Sequence, residues 1–264
     1  MKTIDADKID DLPGQPLSEN NTFSFACHAG LGCFNQCCRN LNMFLYPYDV
    51  LRLRKNMGIS SGEFIDRHVD IVLREGSYFP DVLLSMADNA EKTCPFLTDG
   101  GCSVYPDRSY SCRMFPVEQG LMYGKDGAPQ LVHFYRPPDF CEGKHEDNPM
   151  TPAQWIKDQV AETHNKMTRE WAAVKGLFFS NPWPTGDGFG EDTYGPKAKM
   201  AFMAAYNIDA FRDFVFNSSF LKRYKIKKDL LKKVRASDAE LMRLGFEWIR
   251  SYVWGVESKK LRLK

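Results

Sequence analysis

Eight cysteines are the most reactive side chains of this 264-residue chain. All lie between Cys27 and Cys141, and the following 123 residues contain none. Cys27, Cys33, Cys37 and Cys38 form the pattern C-x5-C-x3-C-C, while Cys94, Cys102, Cys112 and Cys141 are spread over a longer stretch. Thiolates are soft donors that select zinc, Cu(I) or iron-sulfur clusters over oxygen-loving cations, and a four-sulfur tetrahedron serves structural zinc and cluster iron alike. Eight thiolates would fill two such sites, and spacing does not choose the metal. The adjacent pair Cys37-Cys38 reads as two ligands, since a disulfide between neighbours falls outside the usual Cα separation. Neighbouring side chains diverge in an extended backbone, so their sulfurs would reach different metals, or one would bridge a binuclear centre. The competing reading, small buried hydrophobes, suits isolated cysteines better than a cluster set among turn residues. His28 beside Cys27 and His145 in a Cys-x3-His with Cys141 are substitutes for a thiol. His68 and His133 read as ordinary packing residues.

The surroundings narrow the chemistry. Eight cysteines in a chain this long are far below the density of a secreted disulfide scaffold. The opening MKTIDADKIDDLPGQ has no apolar core of the kind a secretory signal needs, which points to a cytoplasmic address and reduced thiols. Mean hydropathy is −0.43 and no apolar run approaches the roughly 18 residues of a membrane span. Neither H-E-x-x-H nor a zinc-deaminase arrangement occurs, which disfavours a hydrolase.

The expected elements around the thiols are short. Residues 1–22, with Pro13, Gly14 and Pro16, read as a loosely held arm. Pro47 opens a helix that Gly58 ends. Ser60-x-x-Glu63 is a capping-box signature for a second helix whose face runs through Ile65, Val69 and Val72. Residues 78–88 read as extended. Gly120 to Arg136 reads as a hairpin about a Lys125-Asp126-Gly127 turn. From Thr151-Pro152 the pattern becomes helical, with Ile156, Val160, Thr163, Met167, Trp171 and Val174 along one seam. Gly186, Gly188 and Gly190 lack the strand and helix of a dinucleotide fingerprint. Further helices are expected over 197–206, 208–217, 226–235 and 238–254, the last opened by Ser237-x-x-Glu240, with Trp171, Phe211 and Trp248 in the core.

Charge is uneven. Residues 220–264 hold 14 Lys or Arg against 5 Asp or Glu, leaving 21 against 29 in the rest. Lys227, Lys228, Lys232, Lys233 and Arg235 flank an apolar seam, the pattern of a basic amphipathic helix. An acidic body able to neutralise this run makes nucleic acid an unlikely partner on sequence grounds.

Around the second set the chain reads Cys94-Pro95-Phe96-Leu97, Gly101-Cys102-Ser103-Val104-Tyr105, Arg108 and Cys112-Arg113-Met114-Phe115-Pro116. These residues closely resemble the CxxCxxCC family of zinc- or iron-chelating proteins, the YkgJ-like cysteine-cluster proteins. That motif would place its first two cysteines at positions 31 and 34, which are Leu31 and Phe34. The thiols at 27 and 33 make the gaps longer, as in a looped-out variant. Ser109 stands where the family usually has proline after Arg108. Leu45 to Leu53 is similar to the family's post-cluster helix, and segments near Phe214 and Phe246 resemble tails of longer members. The resemblance implies metal binding, with zinc and iron both proposed, and no settled reaction.

The expectation is therefore an α+β chain: a flexible arm over 1–22, a loop-rich cysteine-cluster domain over 23–145 and a helical region over 146–264. The eight cysteines are the metal ligands, for an iron-sulfur cluster or zinc. Arg108 and Arg113 are expected to lower the negative charge around the sulfurs, and Tyr105 and Phe115 to pack over them and exclude water. With iron the function would be redox or electron transfer; the alternative is a non-catalytic, zinc-stabilised binding module with a basic tail. A thiol–disulfide switch trails, because no thioredoxin-type C-x-x-C is present.

Overall fold

The structure is a computed structural model and describes residues 2–4, 12–123, 129–184, 186–189 and 194–264. In chain order it opens with strands β1 (Lys2–Ile4), β2 (Gln15–Leu17) and β3 (Phe23–Ser24), followed by helices α1 (Pro47–Met57) and α2 (Ser61–His68). Short strands β4 (Val69–Val72), β5 (Asp81–Leu84), β6 (Leu97–Thr98) and β7 (Gly101–Cys102) lead to helix α3 (Tyr110–Met114). Strands β8 (Val117–Tyr123), β9 (Pro129–Tyr135) and β10 (Pro149–Met150) precede helices α4 (Pro152–Asp158) and α5 (Glu162–Lys175). The rest is α6 (Pro196–Tyr206), α7 (Ile208–Asn217), α8 (Phe220–Arg223), β11 (Tyr224–Ile226), α9 (Lys228–Ala236), α10 (Asp238–Trp254) and β12 (Leu261–Leu263). The α+β class read from sequence is what is seen.

Two compact units are interleaved along the chain: residues 1–43, 86–105 and 110–166 form the first, and 44–85, 106–109 and 167–264 the second.

The first unit is built on a sheet in the order β1-β8-β9-β2, with β1 parallel to β8 and the other pairs antiparallel. The expected hairpin is β8–β9; its Lys125–Gly127 turn lies outside the described residues. Lys2–Ile4 and Gln15–Leu17, expected in a loose arm, instead add strands to that hairpin, because paired backbone amides and carbonyls are satisfied there. An aromatic knot holds the unit: Trp155 meets Phe23 and Phe25 edge-on at 5.9 and 5.6 Å, and Phe25 meets Phe115 at 5.9 Å. The Trp155 indole N–H donates to the Met114 carbonyl at 3.0 Å, giving a buried polar edge its partner.

The seam from Thr151 is not one helix. Ala161 N–H bonds to the Ile156 carbonyl at 2.8 Å, a six-to-one closure that ends α4, and Val160 takes the left-handed position with φ 51° where glycine is usual. A β-branched residue there is strained. Val160 is 69% exposed, so little packing offsets the cost.

In the second unit α1 runs from Pro47 to a left-handed Gly58 as expected, and the Ser60 hydroxyl caps α2 by accepting from Glu63 N–H at 3.1 Å. The second helix stops earlier than its pattern suggested. Val69 and Val72 belong to β4, which pairs antiparallel with β5, a conformation that suits the run of β-branched residues. Helix α10 supplies much of the core: Trp248 sits on Phe211 at 5.8 Å, and Phe246 on Trp171 at 5.3 Å. Gly245 is required where α10 meets α6, since a Cβ would lie 2.3 Å from the Ala204 carbonyl oxygen. Asp238 accepts from Arg54 and Arg212, both at 2.6 Å, and Asp209 accepts from the Ser61 N–H at 2.7 Å.

Candidate metal centre

All eight thiols fall in the first unit, and no disulfide joins any of them. Two tethers fix the entrance to the loop that bears the first set. Phe25 N–H donates to the Asn148 carbonyl at 3.2 Å and Ala26 N–H to the Gly143 carbonyl at 3.2 Å, which holds the chain entering Cys27 against the chain leaving Cys141. A Cβ on Gly143 would lie 2.4 Å from the Ala26 oxygen and 2.9 Å from Phe25 Cε2, so only glycine permits this approach. Successive turns follow, in which the N–H groups of Leu31, Phe34 and Gln36 donate to the carbonyls of His28, Leu31 and Cys33 at 3.0–3.2 Å. Asn35, left-handed with φ 65°, then starts a single 3-10 turn, Gln36–Cys38, that carries the adjacent pair.

The second set is laid directly beside the first. Cys94 N–H donates to the Cys38 carbonyl at 2.8 Å, and Asn40 N–H to the Lys92 carbonyl at 2.9 Å. The β6–β7 hairpin pairs Leu97 with Cys102, turning at Gly101 with φ 106°. Cys112 sits within α3, whose ends are fixed by the Tyr110 hydroxyl donating to Asn165 at 2.6 Å and by the Trp155–Met114 bond. Cys141 is buried at the head of the short turn Glu142–His145.

The sulfurs feel one another. Cys27 is exposed, and partial desolvation and then the charges of Cys141, Cys33 and Cys38 hold it above the ordinary thiol range. Cys37 is raised by its hydrogen bond to Cys38, by burial, and by the charges of Cys38, Cys112 and Cys27. Its partner Cys38 is lowered to about 7, by that same bond and by Arg39, against the effect of burial. Cys94 is raised to about 11, chiefly by burial, with Cys38 and Cys102 adding to it. Cys141 is raised by burial and by Cys33, to which its sulfur is also hydrogen bonded. These links join all eight thiols into one set. They also mix the two sequence groups, since Cys141 stands with Cys27 and Cys33, and Cys94 with Cys38.

Mutual repulsion prevents such a set from ionising together unless a cation neutralises it. The backbone is arranged for the ionised form nonetheless. The N–H groups of Phe96 and Leu97 donate to the Cys94 sulfur, those of Gly143 and Lys144 to the Cys141 sulfur, and that of Glu142 to Cys33 Sγ at 3.2 Å. Donors aimed at sulfur stabilise thiolate and tune a bound centre. The sequence gives little warning of them beyond the turn residues that follow Cys94 and Cys141. The chemistry of this donor set fits zinc or iron. Among the described residues no three His, Cys, Asp or Glu side chains already converge as a coordination sphere, so the thiols stand as a linked string.

The other expected participants are placed as follows. His28 accepts from Gly30 N–H on Nδ1 at 3.2 Å and faces Glu146 through Nε2 at 3.5 Å. His145 is exposed. His133 lies on the sheet with Nε2 2.7 Å from the Gln119 side-chain nitrogen, and His68 stacks near Phe64 at 5.4 Å. Arg113, buried beside Cys112, donates to the Gln159 carbonyl at 2.7 Å. Arg108 is buried within the 106–109 segment of the second unit. Phe115 packs on Phe25, whereas Tyr105 is 58% exposed and does not form the dry cover expected of it.

Residues 26–142, a span that contains every cysteine, match the family model described as CxxCxxCC, putative zinc- or iron-chelating domain. It is the family that the motifs between Cys94 and Pro116 resemble. No curated protein and no solved structure gives a match.

Proposed function

We propose that the 26–142 segment, which carries a zinc- or iron-chelating domain signature, is a thiolate metal centre for an iron-sulfur cluster or zinc. Its ligand pool is Cys27, Cys33, Cys37, Cys38, Cys94, Cys102, Cys112 and Cys141. The observation that carries the reading is the pairing of mutually repelling thiols with backbone N–H groups directed at their sulfurs. Bound iron would supply one-electron redox chemistry, and bound zinc would supply folding energy.

The chain's own part is to hold the donors ready. The turns after Cys94 and Cys141 stabilise thiolate, Arg39 and the Cys37 bond favour ionised Cys38, and the buried Arg113 adds positive charge next to Cys112. Cys37 and Cys38 link thiols of both sequence groups, the placement expected of a bridging pair. In this reading the protein works in a reducing, cytoplasmic setting, where the thiols stay available. A second reading, a zinc-stabilised module without catalysis, draws on the exposed basic side chains of residues 222–264.

Cys94→Ser and Cys141→Ser, each reconstituted with zinc and separately with iron and sulfide, test the assignment. Both should bind less metal per chain than the parent protein in at least one of the two reconstitutions. Full parental content of both metals in both variants, with unchanged circular dichroism, would remove these thiols from the centre.

A further inference from the structure

The second unit carries a cationic surface that the thiol centre does not use. Helix α9 places Lys228, Lys232 and Arg235 at i, i+4 and i+7, which is one stripe of a helix, and all three are exposed. One residue upstream, β11 pairs with β12 so that Lys225 lies directly opposite Arg262. Like charges facing each other across strands destabilise the pair. An acidic body was expected to neutralise this region, yet the ion pairs do not do so. Among the described residues, Lys225, Lys227, Lys228, Lys232, Lys233 and Arg262 form no ion pair, and the bridges in this part of the chain go to Arg243 and Lys260. The acids here are mostly committed: Asp238 to Arg54 and Arg212, Glu240 to Arg243, and Glu247 to Lys260. Asp229 and Glu257 are the exposed acids left within 220–264.

The apolar side chains decide what kind of anion fits. A helix that binds a lipid surface buries its apolar face in the membrane, but α9 has already spent that face inside the protein. Val234 is 0% exposed, and Leu230 and Leu231 are half-buried. Leu263 is the one large hydrophobic of residues 220–264 that is well exposed. Single-stranded nucleic acid is held by exposed aromatic rings on which bases stack. Here Phe216 lies beneath the Arg235 guanidinium at 4.3 Å, and Tyr224 and Tyr252 are half-buried. What remains is charge without stacking or insertion, which matches regularly spaced phosphates on a duplex backbone.

We infer that the exposed cations of α9 and of the β11–β12 pair, which adjoins it in the chain, bind the phosphate backbone of double-stranded nucleic acid, without reading base sequence. The test is fluorescence anisotropy of the full-length, metal-replete protein with a labelled DNA duplex, over a salt series beginning at about 50 mM. The triple variant Lys228→Gln/Lys232→Gln/Arg262→Gln is compared with the control Lys157→Gln/Lys166→Gln/Lys199→Gln, which removes the same charge from exposed sites elsewhere. Binding should weaken steeply with salt. The face variant should bind at least about tenfold more weakly, with a salt slope shallower by about three, one unit per lost phosphate contact. The control should stay near the parent protein, and mixed-sequence duplexes should compete equally. The inference is overturned if no duplex binds at low salt, if both variants weaken alike, if a single strand binds more tightly than the duplex, or if vesicles rich in anionic lipid bind where the duplex does not.

Discussion

Replacing Gly143 by alanine should disturb the metal centre and the fold together. An added Cβ would lie 2.4 Å from the Ala26 oxygen and 2.9 Å from Phe25 Cε2, against ordinary carbon contacts of about 3.4 Å or more. The oxygen belongs to the backbone and Phe25 is locked by Trp155 and Phe115, so neither neighbour can rotate away. The two segments must therefore separate by nearly an ångström, loosening the Ala26–Gly143 hydrogen bond that keeps Cys27 near Cys141. Overpacking of this kind costs about 3 kcal/mol, or roughly 6–12 °C in Tm for a protein of this size. Gly100→Ala is the matched control, because its Cβ would meet only the Thr98 hydroxyl at an ordinary 3.9 Å. Thermal unfolding and metal content per chain, measured on both variants, give the comparison. Gly143→Ala should lose stability and metal while Gly100→Ala loses neither. A Gly143→Ala protein with parental Tm and full metal would refute the argument that this close approach builds the site.

Three further outcomes follow from single residues. Val160→Gly should raise stability by about 1 kcal/mol, since glycine relieves the left-handed strain at an exposed position; an unchanged or lower urea midpoint would count against strain there. Burial holds His133 and His68 below the usual histidine range, so the unfolded chain binds more protons just below about pH 6.5 and stability should fall as pH drops through that window. Replacing His133 with Gln should flatten the pH dependence of the urea midpoint, and an unaltered profile would exclude it as a contributor. Cys112→Ala should lower the metal content, because Cys112 is the second-set thiol whose charge reaches Cys37; retention of the full complement would exclude it as a ligand.

Much of this arrangement is legible in the sequence where the cause is local. Pro47 and Gly58, Ser60 with Glu63, and Ser237 with Glu240 mark helix ends by the hydrogen bonds they make or spare. Long-range pairing is less visible. Nothing near Val69 shows that β5 will draw it out of the helical pattern, and nothing near Val160 shows that a Schellman closure will fall there without a glycine. Contiguity misleads as well, since residues 44–85, which follow the first cysteines, cluster with residues 167–264. For the site, composition singles out the candidate donors, and the Cys94 to Pro116 motifs resemble the family whose model matches residues 26–142. Which thiol neighbours which depends on backbone bonds between distant segments, Cys94 to Cys38 and Ala26 to Gly143, that spacing alone does not encode. Among the described residues, the lack of ion pairs at Lys228, Lys232 and Lys233 is likewise a property of where the nearby acids are already committed.

Anaerobic purification followed by elemental analysis, acid-labile sulfide assay and a visible spectrum shows whether the thiols hold a metal. A thiolate metal centre predicts stoichiometric iron with sulfide and a brown protein, or stoichiometric zinc in a colourless one. Protein that is folded, has eight titratable thiols and takes up neither zinc nor iron would contradict it.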